Sequence, residues 1–311
     1  MSSNTLRIAY FGLPLGALAL AHRGVVPSVI VLGHTDAIGA RRVRRLGRHA
    51  LLLGKPELDD PAVVEAIASA RPDAILSWFY PKQIPAAVLA LAPRGAFGAH
   101  PSLLPRWRGP DPYFWALYAG DRETGVSLHR LEAAYDTGPV IEQARLTILP
   151  GETAWRLAKR LDRPALSLIT RCALRLAAGD ALAGIAQDDA QASAAPLPDE
   201  ACLSIAWQRP AVEIVRLVRA ASPYPGASAD LGEETVEVLA AELYAEALPR
   251  ALEPKDAVWT PAGLVVCAGN GGVLITRVRN EDGDLLQGHE LESLFAEPLA
   301  RVHFTSGSRK T

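Results

Sequence analysis

Cysteine is scarce in this chain of 311 residues, with only Cys172, Cys202 and Cys267, widely spaced and without a C-x-x-C pair. A disulfide framework and a cysteine-built zinc site are thereby excluded, and a reducing compartment, the cytoplasm, is the expected setting. Long apolar runs are missing too: none reaches the roughly 18 to 20 residues of a membrane helix. Met1–Arg7 passes straight into a strand-like segment without a signal-peptide pattern. Neither charge sign dominates, 32 Lys+Arg standing against 34 Asp+Glu. With 49% hydrophobic residues the chain is too apolar for a disordered segment, and it is long enough for one large domain and one small one. No internal repeat is present. The turn Gly12-Leu-Pro-Leu-Gly16 has neither the G-x-G-x-x-G pattern nor a G-K-[ST] ending, which leaves it a strand-to-helix turn. His22, His34, His49, His129, His289 and His303 are scattered, no two at metal-ligand spacing, so no metal is expected.

What is present is an alternation of short apolar runs and helical patterns, the sign of a mostly parallel sheet with crossover helices. Strands are expected at Leu6–Phe11, Val25–Leu32, Asp73–Ser77, Gly95–His100, Thr124–Leu131 and Pro139–Ile148. Helices are expected after Gly12 and at Arg41–His49, Pro61–Ala70, Pro112–Ala119 and Thr153–Ala178. The Ala, Gln, Asp, Ser and Pro composition between Ala181 and Glu200 reads as a linker. Beyond it, a helix at Ala211–Ala220 and short strands near 234–241, 257–260, 264–268, 272–278 and 299–304 suggest a small β-barrel with an entry helix. The domains expected are 1–188, a linker at 189–204, and 205–311.

The informative segment is Gly98-Ala-His-Pro-Ser-Leu-Leu-Pro-Arg-Trp-Arg-Gly109, followed by Asp136-Thr-Gly138. A histidine at a strand end is a candidate for proton transfer, because imidazole titrates near pH ~6.5, and Asp136 is its obvious carboxylate partner. In order and spacing, His100–Gly109, Gly120-Asp-Arg-Glu-Thr-Gly125 and Asp136–Gly138 resemble the formyltransferases that use 10-formyltetrahydrofolate, their methionyl-tRNA branch most of all. Asp199-Glu-Ala, Ile205-Ala-Trp207 and Arg219–Gly226 extend the resemblance into the second domain.

The resemblance implies a Rossmann-like catalytic domain followed by an OB-like barrel. It implies that Tyr80, Gln83, Ile84 and Pro85 in one loop, Ser102, Leu103, Leu104 and Pro105 in a second, and Glu132 and Ala133 in a third line the folate site. His100 and Asp136 would be the catalytic pair, with 10-formyltetrahydrofolate as co-substrate. A formyl group attacked by an amine passes through an oxyanion, which needs a hydrogen-bond donor. Family members commonly carry that donor as an asparagine two residues before the histidine, where this chain has Gly98. Losing one such donor typically costs about 2.7 to 4 kcal/mol in the transition state. Pro81 and Gln83 depart from the family pattern as well.

The acceptor that the resemblance implies is an amine. Arg106 and Arg108, with Arg41 and Arg42 of an arginine cluster that continues to Arg48, are the candidate acceptor-binding residues, suited to a phosphorylated or nucleotide-linked molecule. From residue 206 on, 10 Lys+Arg face 15 Asp+Glu. An acidic second domain and a short loop after the second strand disfavour tRNA, whose phosphates demand cations. A small amine, such as an amino acid, a hydroxyornithine or an amino-sugar nucleotide, is the expected acceptor. Methionyl-tRNA is the alternative, and a folate-binding homologue with impaired catalysis is the third reading.

Overall fold

The computed structural model describes residues 6–46, 50–249 and 251–301. Its first part runs β1 (Ile8–Gly12), α1 (Pro14–His22), β2 (Val29–Leu32), α2 (Ala40–Leu46), β3 (Leu51–Gly54), α3 (Pro61–Ser69), β4 (Ala74–Trp78), α4 (Ala86–Leu89) and β5 (Ala96–His100). It continues with α5 (Pro112–Tyr118), β6 (Glu123–Arg130), β7 (Val140–Thr147) and α6 (Ala154–Ala177). These strands form one seven-stranded sheet in the order β3-β2-β1-β4-β5-β6-β7. The five strands β3-β2-β1-β4-β5 run parallel to one another, and β6 and β7 add antiparallel at the β5 edge.

Local sequence explains this. The runs IAYFG and AILSW are buried residue by residue, as strands covered on both faces must be. Asp60 caps α3, its carboxylate accepting from the Ala62 amide at 2.9 Å, and Pro61 opens the helix. In α6, buried Leu157, Leu161, Ala165, Leu168, Cys172 and Leu176 recur every three or four residues, which is one helical face. Gly12 sits at φ +144°, and a Cβ there would lie 1.8 Å from the Trp78 carbonyl oxygen. The turn after β1 is further tied by the Tyr10 hydroxyl, which donates to the Leu13 carbonyl at 2.8 Å. It is a strand-to-helix turn.

The second part holds α7 (Glu200–Leu203), α8 (Ala211–Ala221), β8 (Ala227–Leu231), β9 (Glu234–Tyr244), β10 (Ala257–Thr260), β11 (Gly263–Cys267), β12 (Gly272–Arg279) and β13 (Leu285–Gln287). Its strands pair antiparallel in the order β10-β11-β12-β9-β8, with β13 on β12. Helix α8 buries Ile214, Leu217, Val218 and Ala221. The strand expected near 299–304 is a single bridge between Trp259 and Arg301, residues 302–304 lying outside the described residues. Strands β3, β8 and β13 and the one-turn α4 carried no expectation. The chain divides into two units, one of which comprises 1–112, 123–147 and 158–196. His100 and Asp136 both lie in that unit.

Candidate active site

Side chains alternate across a strand, so Gly98 and His100 of β5 share one face of the sheet. The antiparallel register pairs His100 with Ser127 and Gly98 with His129, which sets both β6 residues beside them on that face. His100 and His129 are buried, at 7% and 2% exposure, and Ser127 is fully enclosed.

Ser127 holds the chain leaving β5. Its hydroxyl donates to the Ser102 carbonyl at 2.7 Å and accepts from the Leu104 amide at 2.9 Å. Gln143 adds a bond from its Nε2 to the Leu104 carbonyl, 2.9 Å. The Ser102 hydroxyl donates to the Arg106 carbonyl at 2.6 Å, closing a tight turn. That turn delivers the Trp107 carbonyl to His100 Nε2 at 2.8 Å. A carbonyl only accepts, so Nε2 carries the ring hydrogen and Nδ1 of the neutral ring is bare.

His100 Nδ1 faces Asp136 Oδ2 at 3.4 Å, and that oxygen also accepts from the Gly109 amide at 3.0 Å. The second carboxylate oxygen, Oδ1, lies 3.5 Å from His129 Nε2. Asp136 has φ +56°, a left-handed conformation that aspartate tolerates better than most residues. Gln187 holds it there, Nε2 donating to the carbonyls of Asp136 and Gly138, both at 2.7 Å. Gln187 Oε1 in turn accepts from Arg108 Nε and Nη2 at 3.0 and 2.8 Å. Residues 193–195 strap the same loop: the Arg108 amide donates to the Ser193 carbonyl, and the Ala195 amide to the Arg108 carbonyl.

His129 Nδ1 donates to the Arg130 carbonyl at 2.8 Å. Burial, aided by His100 and opposed by the Asp136 carboxylate and the Arg130 carbonyl, pushes its pKa down to about 4. The ring is therefore neutral at physiological pH.

The remaining expected residues fall into three places. Tyr80 is half-buried with its ring edge-on to Phe11, centroids 5.6 Å apart, and burial with the Glu57 charge raises its phenol pKa. Ile84 joins the core cluster on which Tyr80 and Leu131 pack, and Pro85 precedes α4. Gln83 is exposed and donates to the Ala133 carbonyl, which ties the 79–85 loop to the 131–138 loop, where Glu132 and Ala133 are exposed. Leu103 and Pro105 are half-buried and Leu104 is buried. Arg106 stacks over the Trp107 ring at 4.4 Å, and the Arg108 guanidinium is engaged by Gln187 and Asp189. Arg41, Arg42 and Arg44 line a separate cavity of about 780 Å³ with Leu15, Leu18 and Thr35; Arg48 lies outside the described residues.

Three contributors were not marked by the sequence. His129 looked like one of several scattered histidines, and only strand register brings it to Asp136. Gln187 lay in a stretch of linker composition. Ser127 carried no signal beyond strand alternation. Among the described residues, no group of three or more His, Cys, Asp or Glu side chains is arranged to hold a metal ion, and no helix is long and apolar enough to cross a membrane.

The family described as formyl transferase matches residues 30–172, and the formyl transferase C-terminal domain matches residues 199–293. The methionyl-tRNA formyltransferase of Anaeromyxobacter dehalogenans strain 2CP-1 is 34% identical over 319 residues, spanning 97% of this chain and 100% of that protein. The chain belongs to the formyltransferase family. Two solved structures share its fold. One is HypX from Aquifex aeolicus in complex with tetrahydrofolic acid, with TM-score 0.64, 18% identity, and coverage of 96% of this chain and 49% of that one. The other is the N-formyltransferase from Helicobacter canadensis in complex with folinic acid and dTDP-3-aminofucose, with TM-score 0.63, 15% identity, and coverage of 87% and 98%. As a formyltransferase, the chain is an enzyme of one-carbon transfer.

Proposed function

We propose that this formyltransferase moves the formyl group of 10-formyltetrahydrofolate to the amine of a small acceptor. The observation that carries the reading is the His100–Asp136 pair, the imidazole buried at the end of β5, the carboxylate half-buried in the β6–β7 loop, each held by a main-chain bond. The loops fit a folate. Ile84 and Leu131, one from each loop, share an apolar cluster, and Gln83 joins the loops by donating to the Ala133 carbonyl. A flat heterocycle with polar edges suits apolar side chains set beside polar ones.

The co-substrate supplies the formyl carbon and the nitrogen that leaves it. The protein's task is to manage one proton. His100 Nδ1, bare and beside Asp136 Oδ2, accepts the proton that the acceptor amine loses as it attacks, and the carboxylate stabilises the imidazolium that results. The same proton then returns to the departing folate nitrogen. Gly109 N–H and Gln187 fix the carboxylate so that it need not reorganise.

A small acceptor is supported by the charge of the second unit. From residue 206 on, carboxylates outnumber cations 15 to 10, and Arg209 pairs with Glu213, Lys255 with Asp230, Arg279 with Glu237 and Arg301 with Glu292, a balance that disfavours a polyanion. Methionyl-tRNA is the second reading, favoured by the full-length match to a methionyl-tRNA formyltransferase. Calorimetric titration with 5-formyltetrahydrofolate, alone and then with initiator methionyl-tRNA or a panel of amino acids, hydroxyornithine and amino-sugar nucleotides, tests both. Folate binding with heat from a small amine supports the proposal. Heat from the tRNA alone supports the second reading, and no folate binding refutes both.

A further inference from the structure

Asp136 is shared between two imidazoles. His100 Nδ1 faces one carboxylate oxygen at 3.4 Å and His129 Nε2 the other at 3.5 Å, with ring centroids 6.3 Å apart and planes 88° to each other. Each ring gives its other nitrogen to a main-chain carbonyl, Trp107 for His100 and Arg130 for His129, both at 2.8 Å. Since carbonyls only accept, those nitrogens hold the ring hydrogens. With both rings neutral, the two nitrogens turned toward Asp136 are bare, and the carboxylate faces a lone pair on each side.

This arrangement has room for one proton. Its arrival turns an opposed pair of acceptors into an N–H···O bond. Among the described residues, Oδ2 has one main-chain donor, Gly109, whereas Oδ1 faces only His129. The titratable groups facing His129 are His100 from β5 and Asp136 from the β6–β7 loop.

The register adds a second, independent observation. A Cβ at Gly98 would meet Leu131 Cδ2 at 2.7 Å and His129 Nε2 at 3.5 Å. His129 Nε2 thus stands in contact with the place where a side chain at 98 would begin, and the polar ring next to His100 on this face comes from β6.

We propose that His129 is a positioning residue for formyl transfer, acting through Asp136 to make His100, Asp136 and His129 a store for one proton. This rests on the formyl-transfer reading above. The balance closes without any further reactant: the amine nitrogen–carbon bond forms as the amine gives up one proton to the store. The folate nitrogen–carbon bond breaks as that nitrogen takes one proton back.

The test measures tetrahydrofolate release from 10-formyltetrahydrofolate, with the acceptor that the titration selects and with water alone, in the wild-type chain, His129→Leu and His129→Gln. His129→Leu is expected to lower kcat about 10- to 100-fold, within the span of proton-transfer effects, with KM for the folate changed less than about twofold. His129→Gln, whose amide N–H can donate to Oδ1, is expected to keep more activity and to move the acid limb of the kcat profile to lower pH. Unchanged kcat and an unmoved profile in both variants overturn the proposal, as does a loss confined to KM. In the wild-type chain, nitrogen-detected NMR is expected to show His129 protonated at Nδ1 and His100 at Nε2. The opposite tautomer of His129 overturns the proposal even where a variant fails to fold. If the wild-type chain neither binds 5-formyltetrahydrofolate nor releases tetrahydrofolate, it is the formyl-transfer reading that fails instead.

Discussion

Gly98 and His129 face one another across the β5–β6 register, and the imidazole stands 3.5 Å from where a Cβ at 98 would be. An asparagine placed at 98 therefore meets the end of the Leu131 side chain, 2.7 Å from its Cβ, and lies against His129. Gly98→Asn is expected to push Leu131 aside, to lower stability by about 1–3 kcal/mol as overpacking does, and not to raise the transfer rate. Urea unfolding and tetrahydrofolate release on the same preparation check both. A faster enzyme would mean that the site lacks a hydrogen-bond donor that an amide at position 98 supplies.

Gln187 is the brace of Asp136. Gln187→Ala removes the donor shared by two carbonyls and leaves Arg108 without its amide partner. The expected loss is about 1–2 kcal/mol of stability, of the size of a lost hydrogen bond to partly buried groups. Transfer is expected to fall about tenfold if the carboxylate drifts by ~1.4 kcal/mol worth of misplacement. Calorimetric melting and kcat at saturating folate measure the two parts. Full activity at reduced stability would limit Gln187 to holding the loop.

Stability is expected to depend on pH through His129. Its pKa is pushed down to about 4 in the folded chain, whereas an unfolded histidine titrates near ~6.5. Between those values the unfolded chain binds the extra proton, so stability rises with pH across the window. It is complete above pH ~6.5 and is lost as pH falls toward about 4. Urea midpoints at pH 7 and pH 5 should differ more in the wild-type chain than in His129→Leu. Equal differences would mean that other groups carry the acid sensitivity.

Ser127 is fully buried and serves two main-chain groups and one side chain. Ser127→Ala leaves the Leu104 amide and the Ser102 carbonyl without it, at a cost of about 1–3 kcal/mol for unsatisfied buried groups. Because this turn carries Trp107 to His100, 5-formyltetrahydrofolate affinity and kcat are both expected to fall. Isothermal titration and initial rates would detect either change.

The sheet was legible where strands are continuous apolar runs closed by glycine, as in Leu6–Phe11 before Gly12. It was not legible at β3, where Leu51–Gly54 gives only three leucines and no period, nor at β8, where Ala227–Leu231 is small and polar enough to pass for a loop. His100 and Asp136 announced themselves through a motif. Their third neighbour did not, because His129 reaches Asp136 by cross-strand register, which sequence spacing does not encode. The segment from Gln187 to Ala195 read as linker since its bonds to Trp107, Arg108 and Asp111 run largely through the main chain, to which composition is blind.

The most direct measurement is single-turnover transfer of labelled formyl from 10-formyltetrahydrofolate in the wild-type chain and in Asp136→Asn, with 5-formyltetrahydrofolate affinity determined on both. The account predicts transfer by the wild type, a drop of about 10²- to 10⁴-fold in Asp136→Asn, and folate binding that is nearly unchanged. Equal transfer rates in the two proteins would contradict it.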